Sequence, residues 1–308
     1  MNSKLPQQPD RKNDLEHGDA LQDTQLRYTR MAPVYDELLD KVESQYKGFL
    51  IRHNLISQAE GNVLEVGVGT SRNLVYYTQP KVKSVTLADN TQAMLDTALV
   101  KHADLYRILA VPGQLITSED NTKAIVRAPH MIDVFPPTIR EHFSNIESMR
   151  ALTELTITDS EENPTPVAGT NGFLWQSGVV RANALPTAFL RADSHDLSAI
   201  ASDSFDTVVD TFGLCSYQDP VRVLQEMQRV CKDGGKILLL EHGLGDGVVV
   251  NTMIKMTNEA HKKQWGCDRS KDIEKIVRDS GLIIQKFKRE HKGSTYVVIA
   301  KPNKSLKQ

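Results

Sequence analysis

The 308-residue sequence predicts an open α/β sheet in which one strand runs against the others. Three observations carry this expectation. Residues 63–74, VLEVGVGTSRNL, read as a short apolar strand that turns sharply on Gly67 and Gly69. Strand-like and helix-like stretches then alternate toward the C-terminus, the pattern of α/β domains. Finally, strands over Leu282 to Arg289 and Thr295 to Ala300 are joined tightly at Lys292-Gly293, so this pair must be antiparallel.

The elements follow in chain order. Residues 1–24 are polar, without periodicity, and read as a disordered tail. From Leu26 to Ala59 the apolar positions fit two helices, with Tyr35 to Leu39 in the first and Tyr46, Phe49, Leu50 and Ile56 in the second. These helices either pack ordinarily before the first strand or lid a ligand. Val63 to Val66 form that strand, and Ser71 to Tyr77 can open a helix after the glycine turn. A second strand, Ser84 to Ala88, ends at Asp89, and Asn90 can cap a helix that has Met94, Leu95, Ala98 and Leu105 on one face.

Residues 110–185 break the rhythm. A crossover between neighbouring parallel strands needs only about a dozen residues, yet the next credible strand begins at Thr187. The segment reads as an insertion with a helix over Thr138 to Leu152 and Gly-rich sequence around Phe173, Leu174 and Trp175. It either covers the site or is a peripheral excursion. Alternation resumes with a strand over Ala188 to Ala192, followed by Asp193-Ser194-His195-Asp196, and a buried strand over Phe205 to Phe212. Asp219-Pro220 starts a helix with Leu224, Met227, Val230 and Cys231 as its buried stripe. Lys232-Asp233-Gly234-Gly235 turns into an apolar strand over Lys236 to Leu240, which ends in Glu241-His242. A helix containing Ile273 and Ile276 follows Asp272. The whole domain spans 25–302, leaving 303–308 as a C-terminal tail.

Composition narrows the partners. Lys and Arg total 37 against 39 Asp and Glu, a net charge of −2, with no basic run to follow a nucleic-acid backbone. A small-molecule or lipid-like partner is therefore expected, and no nucleic acid. Cys215, Cys231 and Cys267 are far apart and show no paired spacing, which fits a reducing compartment and argues against a disulfide framework or a zinc site. No metal ligand is read here. No apolar stretch approaches the roughly 20 residues of a membrane span. With Asp10, Asp14, Glu16 and Asp19, the N-terminus is too acidic for a mitochondrial transit peptide and lacks a secretory signal's apolar core. The expected location is cytoplasmic.

Two ligand classes use a Gly-x-Gly turn at a strand end: nucleotides with a pyrophosphate, and S-adenosylmethionine, which has none. The dinucleotide fingerprint wants a third glycine where this chain has the bulky Arg72. Glu65, two residues before the first glycine, would repel a pyrophosphate and suits an ammonium group. Asp89 lies about 20 residues past the turn, the spacing at which an acidic side chain reaches ribose hydroxyls.

Taken together, Val63–Leu74, Leu87–Leu95 and above all Ser204–Gly243, SFDTVVDTFGLCSYQDPVRVLQEMQRVCKDGGKILLLEHG, resemble the class I S-adenosylmethionine-dependent methyltransferases. The branch most alike holds the ubiquinone/menaquinone C-methyltransferases and fungal mitochondrial methyltransferase-like proteins. Trp265-Gly266-Cys267 followed by Asp272-Ile273 also looks like that branch. The likeness covers roughly 26–109 and 186–302; residues 110–185 have no counterpart in it.

The resemblance implies a Rossmann-like seven-stranded sheet of order 3-2-1-4-5-7-6, strand 7 antiparallel, with helices on both faces and the insertion between strands 2 and 3. It implies S-adenosyl-L-methionine as cofactor and a small-molecule, quinone-like or lipid-like methyl acceptor. By position, Glu65, Gly67 and Gly69, with Thr70 on the same turn, hold the methionine part and Asp89 the ribose. Asn90 and Met94 flank the adenine, and Asp193 with Ser194 reaches its edge. Thr211, Phe212 and Leu214 form the floor beside the acceptor. Ser71 stands where the family has a third small glycine, and Ser270-Lys271-Asp272 stands where the branch commonly has Asn-Arg-Asp. The fungal members also make mitochondria the alternative compartment.

A catalytic base is needed only for an acceptor that arrives protonated. His242, at a strand end on the expected acceptor side, is the candidate, against a purely structural role for Glu-His-Gly. Cys215 and Cys267 read as packing thiols, His195 as a loop residue near the adenine, and Tyr35 as able to close over the methionine moiety. Two other functions are weighed: a non-catalytic cofactor-binding scaffold that uses 110–185 to meet a protein partner, and an NAD-dependent oxidoreductase, which Arg72, Glu65 and the terminal hairpin disfavour.

Overall fold

A computed structural model describes residues 23–77, 80–110, 115–117, 124–127, 154–157, 173–174 and 185–305. Its sheet forms because five strands, β1 (Gly61–Val66), β2 (Val82–Asp89), β7 (Thr187–Arg191), β8 (Phe205–Thr211) and β9 (Cys231–His242), run parallel and are apolar on both faces. The hairpin β10 (Ile283–Glu290) and β11 (Thr295–Lys301) docks through β11, which is antiparallel to both β9 and β10. Numbering these seven strands along the chain gives the order 3-2-1-4-5-7-6 with strand 7 reversed, as the resemblance implied. A two-residue strand, β6 (Phe173–Leu174), extends the edge by pairing antiparallel with β7.

The alternation of side chains along β1 divides the core. Val63 joins Val85, Leu87, Val209 and Leu238 on one face of the sheet. Leu64 and Val66 join Val208 and Leu239 on the other face, against α5 (Pro220–Val230) and α7 (Ile273–Asp279). Helix α5 starts as its sequence says, with Pro220 in the first turn and the Asp219 carboxylate accepting from the Arg222 N–H. Val223, Leu224, Met227 and Val230 are fully buried, each such side chain contributing about 1.5–3 kcal/mol. Asp272 caps α7 in the same way, accepting from Lys275 N–H.

Several expectations need correction. The N-terminal part holds more helix than expected: residues 23–31 (α1), a 3-10 turn at Ala32–Val34, α2 (Tyr35–Tyr46) and α3 (Gly48–Ile56). Tyr46 closes α2 and does not open α3, because Lys47 takes a left-handed conformation (φ 54°) and bends the chain between them. After the glycine turn, Ser71 to Tyr77 yields turns and a 3-10 helix at Leu74–Tyr76, with no α-helix. Helix α4 runs Gln92–Ala110, and Asn90 does not cap it; its side-chain oxygen instead accepts from the Thr91 hydroxyl. Helix α6 (Gly247–Trp265) was not expected at all: Val248, Val249, Met253 and Met256 are exposed, so its apolar residues trace no buried stripe.

Of the expected insertion, β3 (Leu115–Thr117), β4 (Ala124–Arg127) and β5 (Glu154–Ile157) form a separate three-stranded antiparallel sheet. The helix expected over Thr138 to Leu152, Trp175, residues 1–22 of the N-terminal tail and 306–308 of the C-terminal tail lie outside the described residues. No described helix is long and apolar enough to cross a membrane.

Helix α1 is fastened across the top of the sheet. Arg27 donates to the Lys262 and Lys263 carbonyls in the last turn of α6, and the Tyr28 and Ser216 hydroxyls lie 2.8 Å apart.

Candidate active site

A cavity of about 500 Å³ opens at the C-terminal ends of β1, β2, β8 and β9, where ligands bind in such sheets. The glycine turn makes one wall. Gly67 and Gly69 adopt φ 57° and 54°, which only glycine reaches without cost, and a Cβ on Gly67 would strike the Tyr217 hydroxyl. Ser71 also sits in the left-handed region at φ 63°, so a serine occupies a backbone slot made for glycine.

Of the residues proposed from sequence, Gly67, Gly69, Asp89, Asn90, Met94, Ser194, Thr211, Phe212 and His242 line this cavity. Four do not. Glu65 is fully buried, and its carboxylate accepts from Asn73 Nδ2 at 2.8 Å and the Tyr77 hydroxyl at 2.5 Å. Both carboxylate oxygens are engaged there, and Asn73 links the group to Thr211 and Arg52 on the cavity wall. Thr70 donates its hydroxyl to Asp36, and Asp193 is engaged by the N–H and ring of His195. Leu214 is buried under the floor, its N–H donating to Glu241.

Asp89 is held in place by the backbone. One carboxylate oxygen accepts from Gly69 N–H and the other from Thr91 N–H, both at 2.8 Å. It therefore braces the glycine turn as well as facing the cavity. Arg72, in the dinucleotide fingerprint's glycine position, reaches Asp36, Asp40 and Glu43 on α2 and so ties that helix over the turn. Arg52 donates to Glu43, Asn73 and Thr211, with its guanidinium 5.4 Å from the Phe212 ring centroid. Burial opposes ionisation of Glu43, but Arg52 and Arg72 hold its carboxyl down to about 2.

Four buried carboxylates converge on the ends of adjacent strands: Glu65 on β1, Asp89 on β2, Asp210 on β8 and Glu241 on β9. Burial pushes Glu65 up to about 7 and raises Asp89 against its backbone hydrogen bonds. Asp210 and Glu241 are raised well above the usual range by burial and by their neighbouring carboxylates; Asp210 lies beside the Tyr217 hydroxyl and the backbone of Gly213. Burial and mutual repulsion thus favour protonated carboxyls here, and a cation close by would favour their ionised forms where an anion would not.

The far end of the cavity is different in kind. Tyr28, Tyr35, Tyr46, Phe212 and Trp265 give it aromatic walls. Cys215, His242 and Cys267 meet there: His242 Nε2 lies 3.1 Å from Cys215 Sγ and 2.7 Å from Cys267 Sγ. Burial pushes the Cys215 thiol up. His261, 6.3 Å from His242 between ring centroids, is lowered to about 4, first by burial and then by Arg269 and His242. Tyr28, Arg52 and His261 went unnoticed in the sequence because they lie in helices with no motif around them, and Tyr217 and Trp265 were read only as parts of family-like segments. Cys215 and Cys267, 27 and 25 positions from His242 in sequence, converge on it, a meeting that their spacing did not suggest.

A family model described as a methyltransferase domain matches residues 159–239. Over 290 residues the chain is 23% identical to the Saccharomyces cerevisiae protein "Methyltransferase OMS1, mitochondrial", covering 93% of this chain and 48% of that protein. Over 70 residues it is 46% identical to a rat thiol S-methyltransferase, TMT1B, covering 23% of this chain and 29% of that one. The chain thus spans about half the length of the first relative and less of the second. An O-methyltransferase family protein from Burkholderia thailandensis shares the fold with a TM-score of 0.51 at 12% identity, over 89% of this chain and 60% of that one.

Proposed function

We propose that the chain is a class I S-adenosylmethionine-dependent methyltransferase, as its likeness to methyltransferases supports, and that it transfers a methyl group to a small, apolar acceptor. The observation that carries the reading is a cavity wall made by the glycine turn and braced by the Asp89 carboxylate, which itself faces the cavity. A donor carrying a sulfonium and an ammonium group suits that carboxylate; a pyrophosphate dianion does not. When bound, S-adenosylmethionine supplies a methyl group already activated on sulfur.

The protein's own contribution is alignment and exclusion of water. Gly67 and Gly69 let the backbone approach the ligand closely, with Tyr35 above Gly69. Asp89 fixes the turn and offers a carboxylate edge to hydroxyls, while Asn90 and Met94 line the wall beyond it. Thr211 and Phe212 form the floor between the two ends. The aromatic far end suits an apolar acceptor, quinone-like, lipid-like or a small thiol. His242 is not open to act as a free base, since Nε2 is engaged by two sulfurs.

Isothermal titration of the full chain tests this. S-adenosylmethionine should bind and NAD should not, and Asp89→Asn should weaken binding about 10-fold, near 1.4 kcal/mol. Binding of NAD in preference would reverse the reading. Transfer of labelled methyl into lipid, quinone or thiol fractions then separates an enzyme from a scaffold that only binds the donor.

A further inference from the structure

Two of the three cysteines meet at a histidine, and packing alone does not ask for that. Cys215 lies in the loop after β8, His242 ends β9, and Cys267 follows Gly266, the left-handed residue that closes α6. One ligand atom from each of the three lies within 4.8 Å of the other two. Both cysteines are buried, and all three residues line the cavity. An imidazole nitrogen has a single lone pair and accepts from one thiol, not two, so with neutral thiols Cys215 Sγ turns to the Phe212 carbonyl at 3.3 Å although it lies beside Nε2. A cation between them satisfies all three groups.

The scaffold around the cluster is fixed by bonds that do not involve the thiols. Asp268 N–H donates to the Cys215 carbonyl, and Lys271 Nζ donates to the carbonyls of Leu214 and Tyr217, so the two cysteine-bearing loops are clamped together. Asn258 on α6 donates to Asp268 and accepts from Arg269 N–H, fixing the second loop to its helix. Phe212, in a left-handed conformation (φ 59°) rare for a bulky side chain, sets its ring 5.2 Å from the His242 ring and so orients the imidazole.

We propose that Cys215, His242 and Cys267 hold one zinc ion whose fourth position opens to the cavity and takes the sulfur of a thiol acceptor. Two thiolates and an imidazole with one open position form a known donor set of catalytic zinc, and their softness disfavours magnesium and calcium. Metal–ligand distances of about 2.0–2.3 Å require the three groups to spread by roughly 1 Å or less. The acceptor's fate rests on the methyl-transfer reading above; ion binding does not. As the acceptor R–SH binds, its proton leaves to solvent and its sulfur bonds to the ion. The thiolate sulfur then forms the bond to the methyl carbon while the carbon–sulfonium bond breaks. That bond's electron pair stays on the donor sulfur, and the neutral thioether leaves the ion.

The test uses the full chain, stripped with a chelator under reductant and titrated with Zn²⁺. One ion per chain is expected, with Cys215→Ser and Cys267→Ser each weakening binding about 100-fold or more. Cys231→Ala, which alters a thiol outside the cluster, should bind as the parent does. Cobalt in place of zinc should show a sulfur-to-metal charge-transfer band on the unaltered chain, shifted by butanethiol and unmoved by butanol. Absence of saturable zinc binding would overturn the proposal, as would equal loss in Cys231→Ala, or a Cys215–Cys267 disulfide that forms regardless of zinc. A cobalt band that butanethiol leaves unmoved would overturn the thiol-binding position. Methyl transfer without ion binding would remove the ion and leave the methyltransferase reading. Ion binding without donor binding would do the reverse.

Discussion

The two ends of the cavity are built by opposite means. The donor end is made of neighbours in sequence: a strand, a glycine turn and an aspartate about 20 residues on, braced by backbone hydrogen bonds at 2.8 Å. The acceptor end is assembled from side chains of a loop, a strand end and the far side of a 19-residue helix. A local backbone device leaves a sequence pattern. A meeting of distant side chains leaves none, because only the tertiary fold specifies it.

The sharpest way to break this contrast is Gly67→Val. Its Cβ would collide with Tyr217 at a left-handed backbone position, and donor affinity should fall by about 100-fold or more, read by isothermal titration. Unchanged affinity would mean that the turn does not cradle the donor. Next in size is Arg52→Ala. It leaves the buried Glu43 with Arg72 alone and unties Asn73 and Thr211, so urea unfolding should show a loss of about 3 kcal/mol.

Glu65→Gln sharpens the contrast by separating stability from binding. The folded-state pKa of Glu65, about 7, lies above its ordinary value of 4.5. The folded state therefore holds the proton more tightly, and this contribution is fully present below about 4.5 and lost as pH rises through about 7. The wild type should lose up to roughly 3 kcal/mol across that window through this group. The variant should lack that share of the slope, with what remains due to Asp89, Asp210 and Glu241. Its donor affinity should stay within about 3-fold, since the side chain does not line the cavity. The smallest effect expected is Ser71→Gly, which relieves a left-handed serine and should raise stability by about 1 kcal/mol in urea unfolding.

How much of the molecule was legible in the sequence follows the same division. The strands themselves, the reversed hairpin and the Asp219-Pro220 helix start were readable, since apolar periodicity and turn chemistry act locally, while the strand order came from the family resemblance. Glu65 was read for a ligand's charge alone; its bonds to Asn73 and the Tyr77 hydroxyl needed the fold in place. Helix α6 was missed because its apolar residues stay exposed and so trace no buried stripe. Cys215 and Cys267 read as unrelated thiols because their meeting depends on a clamp by Lys271 that no spacing rule contains. Arg72 was read only for what it forbids; its grip on three carboxylates of α2 needed the helix in place.

Arg27 bolts the first helix to the final turn of α6, while Tyr28 touches Ser216 on the loop that carries Cys215. The mouth of the cavity therefore cannot widen without unfastening that helix. On the proposed methyl-transfer reading, departure of the spent donor, more than the chemical step, should then set the pace of each cycle, with α1 as its throttle. A burst of methylated product in the first turnover, abolished in Arg27→Ala, is the kinetic trace that such a throttle would leave.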